Sequence, residues 1–159
     1  MLTDLERHLS EICSILIFLI GAMTIVQIID MHGGFKLVTN RIRTTQKRQL
    51  LWIVSILTFF LSSVLDNLTT TIVMVSLMST LIASRNDRLI FASMISIAAN
   101  AGGAWTPIGD VTTTMLWVGG NISAGITISS LFLPSVACVL VPLIAFSFKN
   151  KGSVEPPVI

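Results

Sequence analysis

The chain has 159 residues, 53% of them hydrophobic and only 11% charged, with a mean hydropathy of +0.86. A soluble globular domain carries about 25% charged residues, so the deficit excludes a water-facing surface of this size and implies a polytopic membrane protein. The formal charge of +2 comes without long acidic or basic tracts, and no nucleic-acid partner is expected. The first residues, Met1 to His8, are polar and mixed in charge, without the basic n-region of a cleaved signal peptide. The apolar run that follows therefore reads as a retained helix.

A spanning helix needs about 20 mostly apolar residues. Residues 9–29 meet that need, with Glu11 at one edge and Gln27 near the other. Residues 30–49 hold Gly33-Gly34 and then Lys36, Arg41, Arg43, Lys47 and Arg48, interleaved with Phe35, Leu37, Val38 and Ile42. This pattern suits a basic amphipathic helix on a membrane face; a plain basic loop fits it as well.

Residues 50–83 are apolar except for one interruption, Asp66-Asn67, which leaves two arms of about 15 residues. Each arm is short for a full crossing. Lys47 and Arg48 precede the segment, and Arg85 and Arg88 follow it. Two short arms, a polar tip and basic residues at both outer ends describe a re-entrant hairpin over 50–84; two short full spans are the alternative. Residues 89–118 form an apolar run broken at 100–110. Pro107 lacks an amide donor and pushes Thr106 out of the helical region, while Gly102, Gly103 and Gly109 favour non-helical backbone. The run reads as one crossing built from two half-helices. Residues 126–148 are a last span, with Pro134 and Pro142 inside it, and 149–159 form a polar tail.

With this layout, nine of the ten Lys and Arg fall on one side and only Arg7 on the other. Basic residues in short loops mark the cytoplasmic face. The N-terminus is thus expected outside and the C-terminus inside the plasma (inner) membrane. Cys13 and Cys138 lie far apart in apolar runs, with no metal-ligand spacing, and no disulfide is expected.

Asn67-Leu68-Thr69-Thr70-Thr71 recurs 43 positions later as Asp110-Val111-Thr112-Thr113-Thr114. Asn and Asp are strong helix N-caps, and capping accounts for Asn67 and Asp110 locally. It does not account for two helix starts at mid-membrane. Transporters do, since discontinuous helices bring helix ends and free carbonyls to the bilayer midplane.

Of eight acidic residues, only Asp66 and Asp110 lie deep in apolar sequence. A charged Asp at a helix centre costs about 2.5–3.5 kcal/mol on insertion scales. No Lys or Arg is deep enough in the sequence to pair with either. Bound cations, protons or neutral donors must compensate them. Thr69, Thr70, Asn100, Thr106 and Thr112 add hard oxygen ligands nearby, a set that suits Na⁺. Burial disfavours the charged form of a carboxyl, so Na⁺ and H⁺ would compete for one group. That competition is the simplest basis for exchange. His32 is a pH-sensor candidate beside a simpler role at the interface, His8 reads as exposed, and Trp52, Trp105 and Trp117 are candidate interface anchors. Thr24 and Gln27 are candidates for hydrogen bonds between helices.

The segment 60–78 (FLSSVLDNLTTTIVMVSLM) resembles the NhaD family of sodium/proton antiporters, as does 98–117 (AANAGGAWTPIGDVTTTMLW). Gly21 to Val26, Ile28 to Asp30 and Gly34 to Thr39 extend the likeness, which runs from about Leu5 to Pro142. The wider superfamily includes arsenite permeases and dicarboxylate symporters. The resemblance implies two inverted repeats, each with a re-entrant hairpin and a broken helix that together hold a cation site. Carried over by position, Asp66, Asn67, Thr69 and Thr70 are tip residues. Asn100, Thr106, Pro107, Gly109 and Asp110 are loop residues. No cofactor is implied beyond the transported Na⁺ (or Li⁺) and H⁺.

This chain carries one hairpin and one broken helix, hence a single repeat. It is expected to be a fragment or one half of a transporter that needs a second repeat or partner chain; a non-transporting remnant is the other option. A homodimer is compatible with the sequence, but the strong basic bias argues against insertion both ways and self-complementation. An anion permease of the same superfamily is the nearest rival. An intramembrane aspartyl protease would need Asp66 and Asp110 as a dyad. The sequence has no tyrosine for the Tyr-Asp motif that such proteases share, and an enzyme is not expected.

Overall fold

The computed structural model describes residues 46–149 without a break, together with 9–10, 12–14, 16–17, 20–21, 24–25, 28, 31–33, 44 and 152–154. The described residues between 9 and 31 are helical. Beyond them lie α1 (Lys47–Ser62), α2 (Asn67–Leu81), α3 (Arg85–Ala104), α4 (Val111–Val118) and α5 (Ala124–Lys149). Among the described residues the fold is all-helical, with one isolated bridge between Gln46 and Ser153. His8, Gln27 and residues 34–43 of the basic segment lie outside the described residues. Thr24 donates within its own helix, to the Ile20 carbonyl at 2.7 Å. His32 is exposed, and its Nδ1 meets the Ile28 carbonyl at 2.7 Å, closing the end of that helix. Cys13 and Cys138 are free.

The central element is α3, which packs against α1, α2 and α5. Its buried residues include Phe91, Met94, Ile95, Ala98 and Ala99, and the small ones fall where α1 comes near. Small and hydroxyl residues let apolar helices approach closely. On α1 the buried face carries Ser55, Thr58 and Ser62. Ser55 and Thr58 satisfy their hydroxyls within the helix, on the carbonyls of Leu51 and Val54. Ser62 reaches across and donates to the Ala99 carbonyl at 2.6 Å. Only one narrow stripe of α2 is buried: Thr70, Met74 and Met78, four residues apart.

Three contacts fix the direction of the helices. Lys47 at the start of α1 pairs with Asp87 at the start of α3, at 2.7 Å. Trp52 donates to the Ser147 hydroxyl near the end of α5 at 3.2 Å. The Arg48 guanidinium stands 6.0 Å from the centre of the Phe148 ring. The starts of α1 and α3 and the end of α5 therefore share one end of the molecule. Since α2 ends just before α3 begins, α1 and α2 form a helical hairpin whose turn lies at the opposite end. Lys47, Arg48, Arg85, Arg88 and Lys149 all gather at the open end.

Among the described residues, α5 alone is long and apolar enough to cross a membrane. It runs through Pro134 and Pro142; its buried residues Ser135, Val139, Leu143 and Ser147 are four apart, and Thr127 lies on the same line two turns earlier. Ile126, Leu133, Val141 and Phe148 point outward. An outer surface this apolar suits hydrocarbon and not water. At about 1.5 Å per residue, α1 and α2 are each near 22–24 Å long, against a hydrocarbon core of about 30 Å.

Candidate functional site

Two helix starts and one helix end meet at the closed end of the α1–α2 hairpin. The first start is that of α2. Asp66 has extended backbone (φ −67°, ψ 153°), and its Oδ1 accepts the amide of Thr69 at 2.8 Å. Asp66 is thus the N-cap, not Asn67 as the repeated pattern suggests. Asn67 is already the first helical residue, so its side chain is free to point elsewhere. The second start is that of α4, where Asp110 is the cap as expected and its Oδ1 accepts the amide of Thr112 at 2.7 Å. The helix end is that of α3, which stops at Ala104 before Thr106 and Pro107.

The Asn67 amide joins the elements. Its Nδ2 donates to Asp110 Oδ2 at 2.8 Å and to Asn100 Oδ1 at 3.0 Å. The orientation follows from chemistry. Asn100 Nδ2 donates to the Ser96 carbonyl at 2.8 Å, which turns its oxygen toward Asn67. An ionised carboxylate only accepts. Asn67 must therefore present its NH₂ group to both. The result is two oxygen acceptors, one formally charged, converging on a single point. Asn67 and Asp110 are half-buried, and Asn100 is exposed.

Around this cluster the loop 105–110 is held by its own hydroxyls. Thr106 Oγ1 donates to the Ser63 carbonyl at 2.7 Å and accepts the Gly109 amide at 3.0 Å. Thr113 donates to the carbonyls of Thr106 and Asp110. Thr114 does the same to Pro107 and Asp110. Ser63–Thr106 and Asn67–Asp110 are both 43 residues apart, so the turn and the loop lie alongside one another at the spacing of the repeated pattern. The pattern also holds in detail. Thr71 bonds the carbonyl of Asn67 and Thr114 that of Asp110, each four residues back. Trp105 packs the loop onto the bundle, stacked on Phe59 at 6.1 Å and edge-on to Phe132 at 5.0 Å.

The expected site residues thus divide. Asn67, Asn100 and Asp110 form one hydrogen-bonded cluster. Asp66 caps α2 beside it and makes no hydrogen bond to the other three. Thr69 and Thr112 contribute backbone amides to the caps. Thr70 is fully buried, and its hydroxyl has no partner among the described residues. Thr106 and Gly109 hold the loop's shape. Gly102 and Gly103, expected to take non-helical backbone at the break, instead lie within α3, where they permit close contacts with Phe59 and Gly109 respectively; the break itself spans 105–110. Sequence reasoning missed Ser63, Thr113 and Thr114; the two threonines lie inside the repeated pattern, where three hydroxyls in a row were the available signal.

The family model described as CitMHS, citrate transporter, matches residues 9–158. The chain belongs to the citrate transporter family. Within it, 148 residues are 55% identical to sodium/proton antiporter 1 of Arabidopsis thaliana, covering 93% of this chain and 26% of that protein. The same identity and coverage of this chain hold for sodium/proton antiporter 2 of that plant, with 35% of that protein covered. The Na⁺/H⁺ antiporter NhaD of Vibrio cholerae is 37% identical over 147 residues, covering 90% of this chain and 30% of that protein. The likeness to NhaD antiporters read from segments 60–78 and 98–117 is therefore shown. The chain spans about a quarter to a third of the length of these relatives. No solved structure matches it.

In this family member the Thr106 hydroxyl makes two of the hydrogen bonds that hold the loop, and among the described residues it alone ties the loop to the turn after α1. Thr106→Val keeps the shape and strands the buried Ser63 carbonyl and Gly109 amide. Leaving buried polar groups unpaired costs about 1–3 kcal/mol each. The melting temperature in detergent should fall clearly in Thr106→Val and recover in Thr106→Ser. Equal melting of Thr106→Val and wild type would mean that the two bonds do not hold the loop.

Proposed function

We propose that this chain is one repeat of a Na⁺/H⁺ antiporter that extrudes sodium in exchange for protons. The observation that carries this is the state of the two helix starts. A helix N-terminus ordinarily attracts anions through its free amides and dipole, which would suit the citrate of the family's name. Here both starts are filled by the chain's own carboxylates, Asp66 and Asp110. An incoming carboxylate would meet like charge, whereas a cation meets Asp110 Oδ2, Asn100 Oδ1 and, after the Asn67 amide turns over, its oxygen. Among the described residues, no Lys or Arg joins the cluster to recruit an anion. Asp66 and the hydroxyls of Thr69, Thr70 and Thr112 are the further ligand candidates. Na⁺, or Li⁺, competes with a proton for the carboxylates, and the competition couples the two fluxes.

In this reading the α1–α2 hairpin is re-entrant, its basic open end faces the cytoplasm, and its tip meets the break between α3 and α4 at mid-membrane. The protein is a multi-pass protein of the inner membrane. Transport requires a second, inverted repeat or a partner chain; with nine of the ten Lys and Arg on one side, a second copy of this chain inserts the same way round and does not supply the inverted repeat. The test is dye-reported proton movement in everted vesicles on Na⁺ addition. Vesicles would hold this chain alone or with a complementary second repeat. Exchange that needs the second repeat, and that disappears when Asp66 and Asp110 are both neutralised, is the expected result. Exchange unaffected by that double change would sink the mechanism. Absence of exchange with both repeats present in the membrane would favour the remnant or the anion permease, which labelled citrate uptake separates.

A further inference from the structure

The open, basic end of the molecule carries a second feature, remote from the polar cluster. A groove of about 310 Å³ lies between the later turns of α2 and the first turns of α3. Val75 and Met78 line it from α2; Arg85, Arg88, Leu89 and Ala92 line it from α3. The α3 residues follow the spacing i, i+3, i+4, i+7, which places them on one helix face. Asp87, in the same turn, points to the opposite face and is engaged by Lys47 at 2.7 Å. Among the described residues neither arginine forms an ion pair, and both are exposed.

Two guanidinium groups at the start of a helix stand where the dipole is already positive. They repel one another and the helix end unless an anion sits between them. The rest of the groove asks for the opposite chemistry. Its walls are apolar apart from Ser79, whose hydroxyl is turned to the Ser76 carbonyl at 2.6 Å. Leu89 is 58% exposed beside the two charges. An anionic head joined to a hydrocarbon tail satisfies both parts, and a free inorganic anion would leave the walls bare.

We propose that this groove binds an anionic phospholipid. The phosphate lies between Arg85 and Arg88, and one acyl chain runs along Val75, Met78, Leu89 and Ala92. Basic pockets between membrane helices at the cytoplasmic face recognise anionic head groups in this way. The inference rests on the membrane placement given under Proposed function, and is independent of which ion is carried.

The intact chain, purified in neutral detergent, is titrated with phosphatidylglycerol or phosphatidylcholine, and bound lipid is counted by native mass spectrometry. Each arginine contributes about fivefold, so the wild type should prefer phosphatidylglycerol about 25-fold. Arg85→Gln with Arg88→Gln should abolish the preference. Ala92→Trp, which fills the groove and keeps the charges, should lower phosphatidylglycerol binding by at least about fivefold. Arg48→Gln, at the same end and outside the groove, should leave the preference intact. If the double variant does not fold, Arg88→Gln alone carries the test, with about fivefold loss expected. Preference that survives the arginine changes overturns the proposal. So does full binding in Ala92→Trp, which would mean surface charge alone, or displacement of lipid by millimolar inorganic phosphate, which would mean a free-anion site. Washing membranes with alkaline carbonate separates the two levels of the argument. A chain that washes off overturns the membrane placement, whereas a retained chain without lipid preference overturns the lipid site alone.

Discussion

Asp110→Asn is expected to stop Na⁺-driven proton movement in the complete transporter while leaving this chain folded. The two oxygens of Asp110 do different work. Oδ1 caps α4 through the Thr112 amide at 2.7 Å, and asparagine caps a helix about as well as aspartate. The fold at that point should survive. Oδ2 faces the Asn67 amide at 2.8 Å, and it becomes an NH₂ group in the variant. Two donors then confront each other, and the cluster loses its formal charge. A cation held by neutral ligands alone lacks the counter-charge that offsets its desolvation. The expected loss of exchange is at least about a hundredfold, equivalent to about 2.7 kcal/mol, with the melting temperature in detergent little changed. Asp66→Asn should do less, because Asp66 is bonded to the Thr69 amide and not to Asn67, Asn100 or Asp110. Wild-type exchange in Asp110→Asn would remove Asp110 from the ion path. A larger loss in Asp66→Asn would move the site toward the tip of the hairpin.

The two breaks were legible because their causes are local. Pro107 cannot continue a helix and turns the residue before it out of one, and an Asp-Asn pair in an apolar run marks a helix start. Gly102 and Gly103 were misleading, since both lie within α3 and the break begins only after Ala104. Which of the pair caps α2 was not legible. Asp66 and Asn67 are both good caps, and the choice depends on where the turn after Ser62 leaves α1. That exit is set by packing of α1 on α3, including the Ser62 bond to Ala99. The difference matters for function, since a capping Asn67 would face its own helix and not Asp110. The role of Thr106 was hidden for a similar reason. As a loop hydroxyl it reads as a ligand, yet both of its bonds go to backbone groups: the Gly109 amide three residues on, and the Ser63 carbonyl, which only the tertiary fold brings near. The spacing of 43 residues did hold the information that the turn and the loop lie together, since Ser63–Thr106 and Asn67–Asp110 both obey it.

Gly103→Ala is expected to damage both stability and transport, because its obstacle is backbone. A Cβ on Gly103 would run into the Gly109 carbonyl oxygen, with that carbonyl's carbon at 2.9 Å and the Asn67 Cβ at 3.5 Å. A side chain in the way can change rotamer; the Gly109 carbonyl is backbone of a residue whose own amide is bonded to Thr106, and it cannot move without carrying the loop. The loop 105–110 would shift off the end of α3, and Asp110 would be drawn away from Asn67. Gly102→Ala meets the Phe59 carbonyl in the same manner and forces α1 away from α3. Overpacking of a close contact costs about 1–3 kcal/mol and occasionally more, and the upper part of that range applies where neither wall can yield. Gly125→Ala is the matched control, since nothing lies within 4 Å of its added methyl group. Alanine is the better helix former, by up to about 1 kcal/mol in a helix interior and less in the first turn where Gly125 lies, so that variant should melt at or slightly above the wild-type temperature. Melting in detergent of the three variants decides the matter. A Gly103→Ala protein as stable as Gly125→Ala would mean that the loop is loosely held, and the geometry that joins Asn67 to Asp110 would then not be the one that binds the ion. A destabilised Gly103→Ala whose exchange also falls, beside a Gly102→Ala in which stability falls more than exchange, would tie the ion site to the seat of the loop on α3.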